Sequence, residues 1–261
     1  MQSLKHPGGP VLTAQRRDVL LERLRADGRV VAKDLAAELG LSEDTVRRDL
    51  RELAAAGLCQ RVYGGALPAS PAAGDLAARR TVAVTSKERV AAAAARLVTP
   101  GSTALLDGGT TALAVARALP PDLDATVVTH SPVVAAALVE HPRVELVLLG
   151  GRVFKHSGVA CGAAAVEAAD RVSADLFLLG VTGVHPTAGP TTGDADEAAM
   201  KRALARRAAD TYVLASAEKI GAASPFTVLP LADVAGIVTD VDGDHPALVD
   251  LAAAGVPLLH A

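Results

Sequence analysis

The sequence predicts an α/β protein in two parts: a small helical unit closed by a β-hairpin, then a larger domain of alternating strands and helices over a largely parallel sheet. Three observations predict it. The 261 residues are long for one domain and comfortable for two. Half are hydrophobic but only 2% are aromatic and none is Trp, so the core is built from Ala, Val and Leu. Apolar periodicity also lapses over 68–81, "PASPAAGDLAARRT", which places a linker at 68–84 between domains at 12–67 and 85–261.

Charge is uneven along the chain. The net −3 conceals 11 Lys and Arg against 9 Asp and Glu in residues 1–68, and 15 against 20 in the remainder, so the basic excess leads where a nucleic-acid reader would sit. Two cysteines, Cys59 and Cys161, without a CxxC or a His/Cys cluster, argue against a disulfide framework, structural zinc or another metal site. "VAAAAARLV" is too short for a membrane span, and "MQSLKHPGGP" has no apolar core of a leader. The expectation is a cytoplasmic protein without a membrane partner.

In the first part, Val19, Leu20 and Leu24 share a helical face that ends at "ADGR". "VAKDLAAELG" follows, with Leu35, Ala36 and Leu39 inward and Gly40 as its stop. The third helix, "LSEDTVRRDLRELAAAG", has Ser42 as N-cap, Glu43 and Asp44 at its positive end and Gly57 at its exit. Burying Val46, Leu50 and Leu53 turns Asp44, Arg47, Arg48 and Arg51 outward. "LCQRVYGGAL" then reads as a strand, a Gly-Gly turn and a return strand, with Arg61 and Tyr63 near the tip. Helix, turn, basic helix and hairpin make a winged helix-turn-helix, whose second helix suits the DNA major groove. A solvated face on a three-helix bundle is the alternative that basic helices alone leave open.

The string "SEDTVRRDLREL", with Arg16, Leu20 and Leu24 ahead of it, resembles the DeoR family of bacterial repressors, and "RVYGGAL" resembles that family's wing. The resemblance implies double-stranded operator DNA as partner. It assigns Thr45, Arg47, Arg48 and Arg51 to the groove and backbone, Ser42 to capping, and Arg61 and Tyr63 to contacts from the wing. Asp49, at the edge of this face, is expected to orient an Arg.

Beyond the linker, "TSKERVAAAAARLV" is a helix, and "TALLD", "ATVVTH", "RVELVLLGG", "ADLFLLGVTG", "DTYVLAS" and "AGIVTD" are strands. Polar clusters follow them at their carboxyl ends, where α/β sheets collect ligands: "DGGTT", "THS", "GGRVFKHSG", "GVTGVHPTAGPTTGDADE" and "ASAEKIG". In the first cluster, two glycines permit close approach, Thr110 and Thr111 supply hydroxyls, and the next helix offers free N–H groups, a combination that suits phosphate. The same residues also fit a plain strand-to-helix turn. Neither GxxxxGK[ST] nor GxGxxG occurs, so a nucleotide cofactor is not indicated.

Residues from about Lys87 to Asp240 are similar to the DeoR-type sensor domain, through "LDGGTT", "VVTHS", "LLGG", "TTGDADEAAMKRA", "VLASAEKIG" and "IVTD". The resemblance implies a fold of the ribose-5-phosphate isomerase and CoA-transferase type and a phosphorylated sugar or polyol as effector; since one small DNA-reading module gives limited specificity, a homo-oligomer, dimer or tetramer, is expected. It places Asp107, Gly108, Gly109, Thr110, Thr111, Glu197, Lys201 and Lys219 at the site. Three departures stand out. Gly108 replaces a Ser, removing a hydroxyl and loosening the turn. His130 replaces an Asn, as a charged donor near phosphate or as an exposed strand end. Ser216 replaces an Asp. Glu197 and Lys201, four apart, also fit a simple ion pair on a helix face. The alternative function is a sugar-phosphate isomerase with an accessory DNA-binding module. No GxSxG, HExxH or Cys/His catalytic motif supports it, and the expected class is a regulator, not an enzyme.

Overall fold

The computed structural model describes residues 13–261 and divides the chain after Ala69 into two compact units. The N-terminal "MQSLKHPGGP" and Leu12, at the start of the first expected domain, lie outside the described residues. No helix among those described is long and apolar enough to cross a membrane.

The first unit begins with α1 (Thr13–Asp27), a short strand β1 (Val30–Val31), α2 (Ala32–Leu39) and α3 (Glu43–Ala55). Gly40 ends α2 in the left-handed region, φ 64°, which glycine adopts without penalty. Ser42 then starts α3, its hydroxyl accepting the Thr45 N–H at 3.2 Å. Leu20, Leu24, Leu35, Val46, Leu50 and Leu53 share one core. Asp49 does orient an arginine, but from within this core rather than at its edge. It is buried and takes two hydrogen bonds from Arg16, one from Nη2 at 3.0 Å, which ties α1 to α3.

The wing is β2 (Cys59–Val62) paired antiparallel with β3 (Gly65–Pro68). Its turn is Tyr63–Gly64, not the Gly-Gly pair. Gly65 instead opposes Val31 of β1, where a Cβ would stand 1.8 Å from the Val30 carbonyl oxygen. Only glycine lets this third strand close on the hairpin.

The second unit contains α4 (Leu76–Arg79), α5 (Val84–Ala95), β4 (Thr103–Leu106), α6 (Thr110–Ala118), β5 (Thr126–Thr129), α7 (Pro132–Leu138) and β6 (Glu145–Leu148). A hairpin of β7 (Arg152–Phe154) and β8 (Val159–Cys161) leads to α8 (Ala163–Ala169) and β9 (Ala174–Gly180). Next come β10 (Gly183–His185), β11 (Gly189–Thr192), α9 (Ala195–Ala205), β12 (Ala208–Leu214) and β13 (Phe226–Thr227). The chain closes with β14 (Gly236–Thr239), α10 (Pro246–Ala253) and β15 (Leu258–His260).

The main sheet is parallel in the order β15-β14-β12-β9-β4-β5-β6. Its six expected strands are joined by β15 at one edge. Side chains alternate between two apolar layers: Leu106, Leu176 and Leu178 pack with α5, α6 and α7, and Leu105, Phe177 and Leu179 with α8, α9 and α10. Both faces are covered, as a parallel sheet requires. Strand order reverses between β4 and β9, the point at which such sheets open a ligand crevice.

The expected linker is corrected by this structure. Residues 71–73 form a 3₁₀ turn and α4 follows; Ala72 and Arg79 are buried. The Ser70 hydroxyl donates to the Thr182 carbonyl, and the Leu76 N–H donates to the His156 carbonyl at 2.7 Å. Proline, alanine and glycine here mark an irregular path laid on the second unit, not a free tether.

Candidate functional site

On the first unit, α3 exposes Asp44, Arg47, Arg48 and Arg51, and the wing exposes Arg61 and Tyr63 at its tip. Thr45 is half-buried, its hydroxyl 2.8 Å from that of Ser42. The cations differ in freedom. Arg47 donates to Glu43 one turn earlier at 2.6 Å, whereas Arg48, Arg51 and Arg61 form no ion pair with a carboxylate among the described residues.

On the second unit, the carboxyl ends of β4 and β9 frame a narrow cavity that is partly open to solvent. Of the expected residues, Gly108, Gly109, Thr110, Thr111, Glu197, Lys201 and Lys219 line it. Gly109 precedes α6 at φ 93°, a glycine conformation that turns the chain so that the helix presents its free N–H groups to the cavity. Arg79 and Lys87 also line it and were missed. The sequence offered only a pair of arginines in an Ala-rich stretch and a lysine at a helix start, both readable as solvated charges.

Asp107 and His130 do not line the cavity; they lie behind it, fully buried. Asp107 Oδ1 accepts from the Gly108 N–H at 2.7 Å and from His130 Nε2 at 2.8 Å. Its Oδ2 accepts from the Gly180 N–H at 2.8 Å and from Lys201 Nζ. His130 Nδ1 donates to the Ala160 carbonyl at 2.8 Å. His130 is thus no exposed strand end, and it does not reach the cavity: both ring nitrogens are engaged on oxygens behind it. The pair Glu197–Lys201 is likewise no surface pair. Both side chains are buried 3.3 Å apart, and Lys201 also donates to the Gly180 carbonyl.

Burial and charge oppose one another throughout. Burial would raise the Asp107 carboxyl, but Lys201 and His130 outweigh it and hold the group well below the usual carboxylate range. Burial would lower Lys201, yet Asp107 and Glu197 raise it. For Lys219 the compensation falls short. Burial, aided by Lys87, Arg79 and Lys201 against Glu218, lowers it to about 7, and its ammonium nitrogen reaches the Thr111 hydroxyl at 2.8 Å. Burial also lowers Lys87 and Arg79. Chemically, the site is a desolvated cluster of cations beside a helix N-terminus, suited to holding a dianion. Cys161 is pushed up to about 12, by burial and then Glu197, and stays a thiol. Among the described residues no group of three or more His, Cys, Asp or Glu is placed to hold a metal.

Gly108 does not loosen its turn. It is buried, and a Cβ there would stand 2.0 Å from Val159 Cγ1 and 3.3 Å from Ser131 Cβ. Val159 is wholly buried and stiff about χ1, so it occupies the space a serine would need. Gly108→Ser is expected to cost about 1–3 kcal/mol by overpacking, with much of the loss recovered by adding Val159→Ala. Denaturant melts of the single and double variants check this, and a serine variant as stable as the parent would refute it.

Compared with known proteins, the chain matches the DeoR-like helix-turn-helix domain over residues 16–71 and the DeoR C terminal sensor domain over 82–241. It is 32% identical over 234 residues to the uncharacterized HTH-type transcriptional regulator FruR of Bacillus subtilis (strain 168), covering 89% of this chain and 93% of the relative. The HTH-type transcriptional regulator GlpR of Haloferax volcanii is 31% identical over 252 residues, 95% of this chain and 98% of the relative. The glycerol-3-phosphate regulon repressor of Escherichia coli (strain K12) is 29% identical over 227 residues, 87% and 90% of the two chains.

Proposed function

Because the chain belongs to the DeoR family of DNA-binding transcriptional regulators, we propose that it is a repressor whose operator binding is set by a phosphorylated sugar or polyol in the cavity of the second unit. One observation carries the effector class: Arg79, Lys87, Lys201 and Lys219 converge, buried, where α6 presents its N-terminus. A phosphate completes that cluster, and Glu197, the carboxylate lining it, accepts from a hydroxyl of the same ligand. The name of the Escherichia coli relative, a glycerol-3-phosphate regulon repressor, supports a small phosphorylated polyol or sugar. Thermal-shift screening of glycerol 3-phosphate, pentose phosphates and hexose phosphates against their unphosphorylated forms tests this reading. Stabilisation by the unphosphorylated forms alone would sink it.

On DNA, α3 lies in the major groove with Thr45, Arg47, Arg48 and Arg51 toward bases and backbone, while Arg61 and Tyr63 reach from the wing. One small module has limited specificity, so a dimer or tetramer on a repeated or palindromic operator is the working assembly. Arg48 is free of carboxylates, and Arg48→Ala should weaken operator binding by about 1–3 kcal/mol with circular dichroism unchanged. Equal affinity in a gel-shift titration would remove Arg48 from the interface. The relatives are regulators, and on that ground the isomerase alternative is set aside.

A further inference from the structure

We propose that Arg79 is the anchor for the effector's phosphate, and that residues 70–83, which carry it, transmit occupancy of the cavity to the DNA-binding unit. This rests on the anion reading of the cavity. Arg79 is 7% exposed, yet it has no carboxylate partner within 4 Å among the described residues. Its hydrogen bonds are long and end on neutral oxygens: Asp75 O at 3.4 Å, His156 O at 3.5 Å and the Ser157 hydroxyl at 3.4 Å. Glu197, Asp107 and Asp75 act on this buried guanidinium only from beyond ion-pair distance, which leaves it able to take a further anion. Its Nη1 lies 3.7 Å from where a Cβ on Gly109 would stand, beside the N–H groups that open α6.

The other cavity cations belong to the body of the unit: Lys87 to α5, Lys201 to α9, and Lys219 to the turn after β12. Arg79 alone comes from the strap at 70–83. The strap is held by Ser70 on the Thr182 carbonyl and Leu76 on the His156 carbonyl. It is also held by Lys87, whose ammonium donates to the carbonyls of Arg79, at 2.8 Å, and Val82. Lys87 therefore serves both the strap and the cavity, and an arriving phosphate competes for it while drawing Arg79 inward. Ala83, at φ 47°, ends the strap in a left-handed conformation that alanine adopts only when its surroundings impose it. At its other end, Ser70 directly follows Ala69, the last residue of the DNA-binding unit. Residues 72–81 fall between the two family domains matched by this chain. Phosphate binding and strap conformation are thus linked, and each biases the other by the same free energy.

Hydrogen exchange of the full chain, with and without inorganic phosphate, tests the proposal beside thermal shift. The expected result is slower exchange across 70–83 with phosphate, at least a tenfold loss of phosphate affinity in Arg79→Gln, partial recovery in Arg79→Lys, and no change in Arg80→Gln at the exposed neighbour. If phosphate stabilises neither wild type nor variants, the anion reading of the cavity falls. If it binds wild type and Arg79→Gln equally, Arg79 is not the anchor. If phosphate binds wild type but exchange across 70–83 is unaltered, the strap does not transmit. Should Arg79→Gln not fold, the wild-type exchange and Arg79→Lys decide.

Discussion

Asp107→Asn is expected to destabilise the second unit by about 3–5 kcal/mol, the usual cost of leaving a buried charge without its partner. The carboxylate accepts four hydrogen bonds, from Gly108, His130, Gly180 and Lys201, and asparagine offers one acceptor oxygen while aiming an NH₂ at donors. Lys201, whose proton is retained because of Asp107 first and Glu197 second among its charged neighbours, loses the stronger of them. At about 2–4 °C per kcal/mol for a unit of this size, the melting transition should fall by about 6–20 °C. The pH dependence has a definite sign. The folded carboxyl is held below its unfolded value, so its contribution is complete above about pH 4 and fades only as acid protonates it. Wild type and variant should therefore differ by a constant amount near neutrality and converge in acid. A melting shift below about 2 °C would show that the network is dispensable.

Effector binding should weaken as pH rises above 7, by up to about tenfold per unit, since one pKa unit is about 1.4 kcal/mol. The cause is Lys219, lowered to about 7 by burial and by Lys87, Arg79 and Lys201, with Glu218 opposing. A phosphate dianion favours its ammonium form, so binding above pH 7 takes up a proton. Because the second ionisation of a phosphate monoester lies near 6, affinity should be greatest at about pH 6–7. For the empty protein, the unfolded chain holds a proton on this lysine between about 7 and 10.4 that the folded one does not, so this group alone makes stability rise with pH across that window. Calorimetric titration with a phosphorylated ligand, in buffers of different ionisation enthalpy, reads the proton uptake. Lys219→Met should weaken binding at pH 6.5 and flatten the profile above it, whereas a flat wild-type profile from 6.5 to 9 would refute the assignment.

Much of the fold is legible because its elements are punctuated. Ser42 and Gly57 bracket α3, Gly40 closes α2, and the six apolar strand segments of the main sheet stand between polar clusters. The two-residue β1, the β7–β8 hairpin and the β10–β11–β13 sheet are not legible, since strands of two to four residues carry too little alternation, and those of the last sheet are also spelled in Gly, Pro, Thr and His. Strand order is beyond any local pattern; with it goes the meeting of Asp107 with Gly180. At the cavity, Gly108 to Thr111 and Lys219 stand out as unusual residues at strand ends. Depth does not show: a strand end reads the same whether it faces solvent or, like His130, is fully buried. An i,i+4 pair such as Glu197 and Lys201 is spelled identically on a wet helix and a dry one. Arg79 does not stand out because composition marks its segment as linker, whereas the segment is tied down at Ser70 and Leu76.

The knot behind the cavity has a consequence for how ligand preference can be altered. Asp107, His130, Gly180 and Lys201 join the ends of β4, β5 and β9 to α9, and Ala160 adds β8. A substitution at any one of these strands the others, so the knot can vary only by coordinated replacement. Random libraries that include these positions will fill with misfolded clones. Variation confined to Val181 and Thr182, on the wall of the same cavity, leaves every cavity cation and its carboxylate partner in place and gives a new effector somewhere to differ.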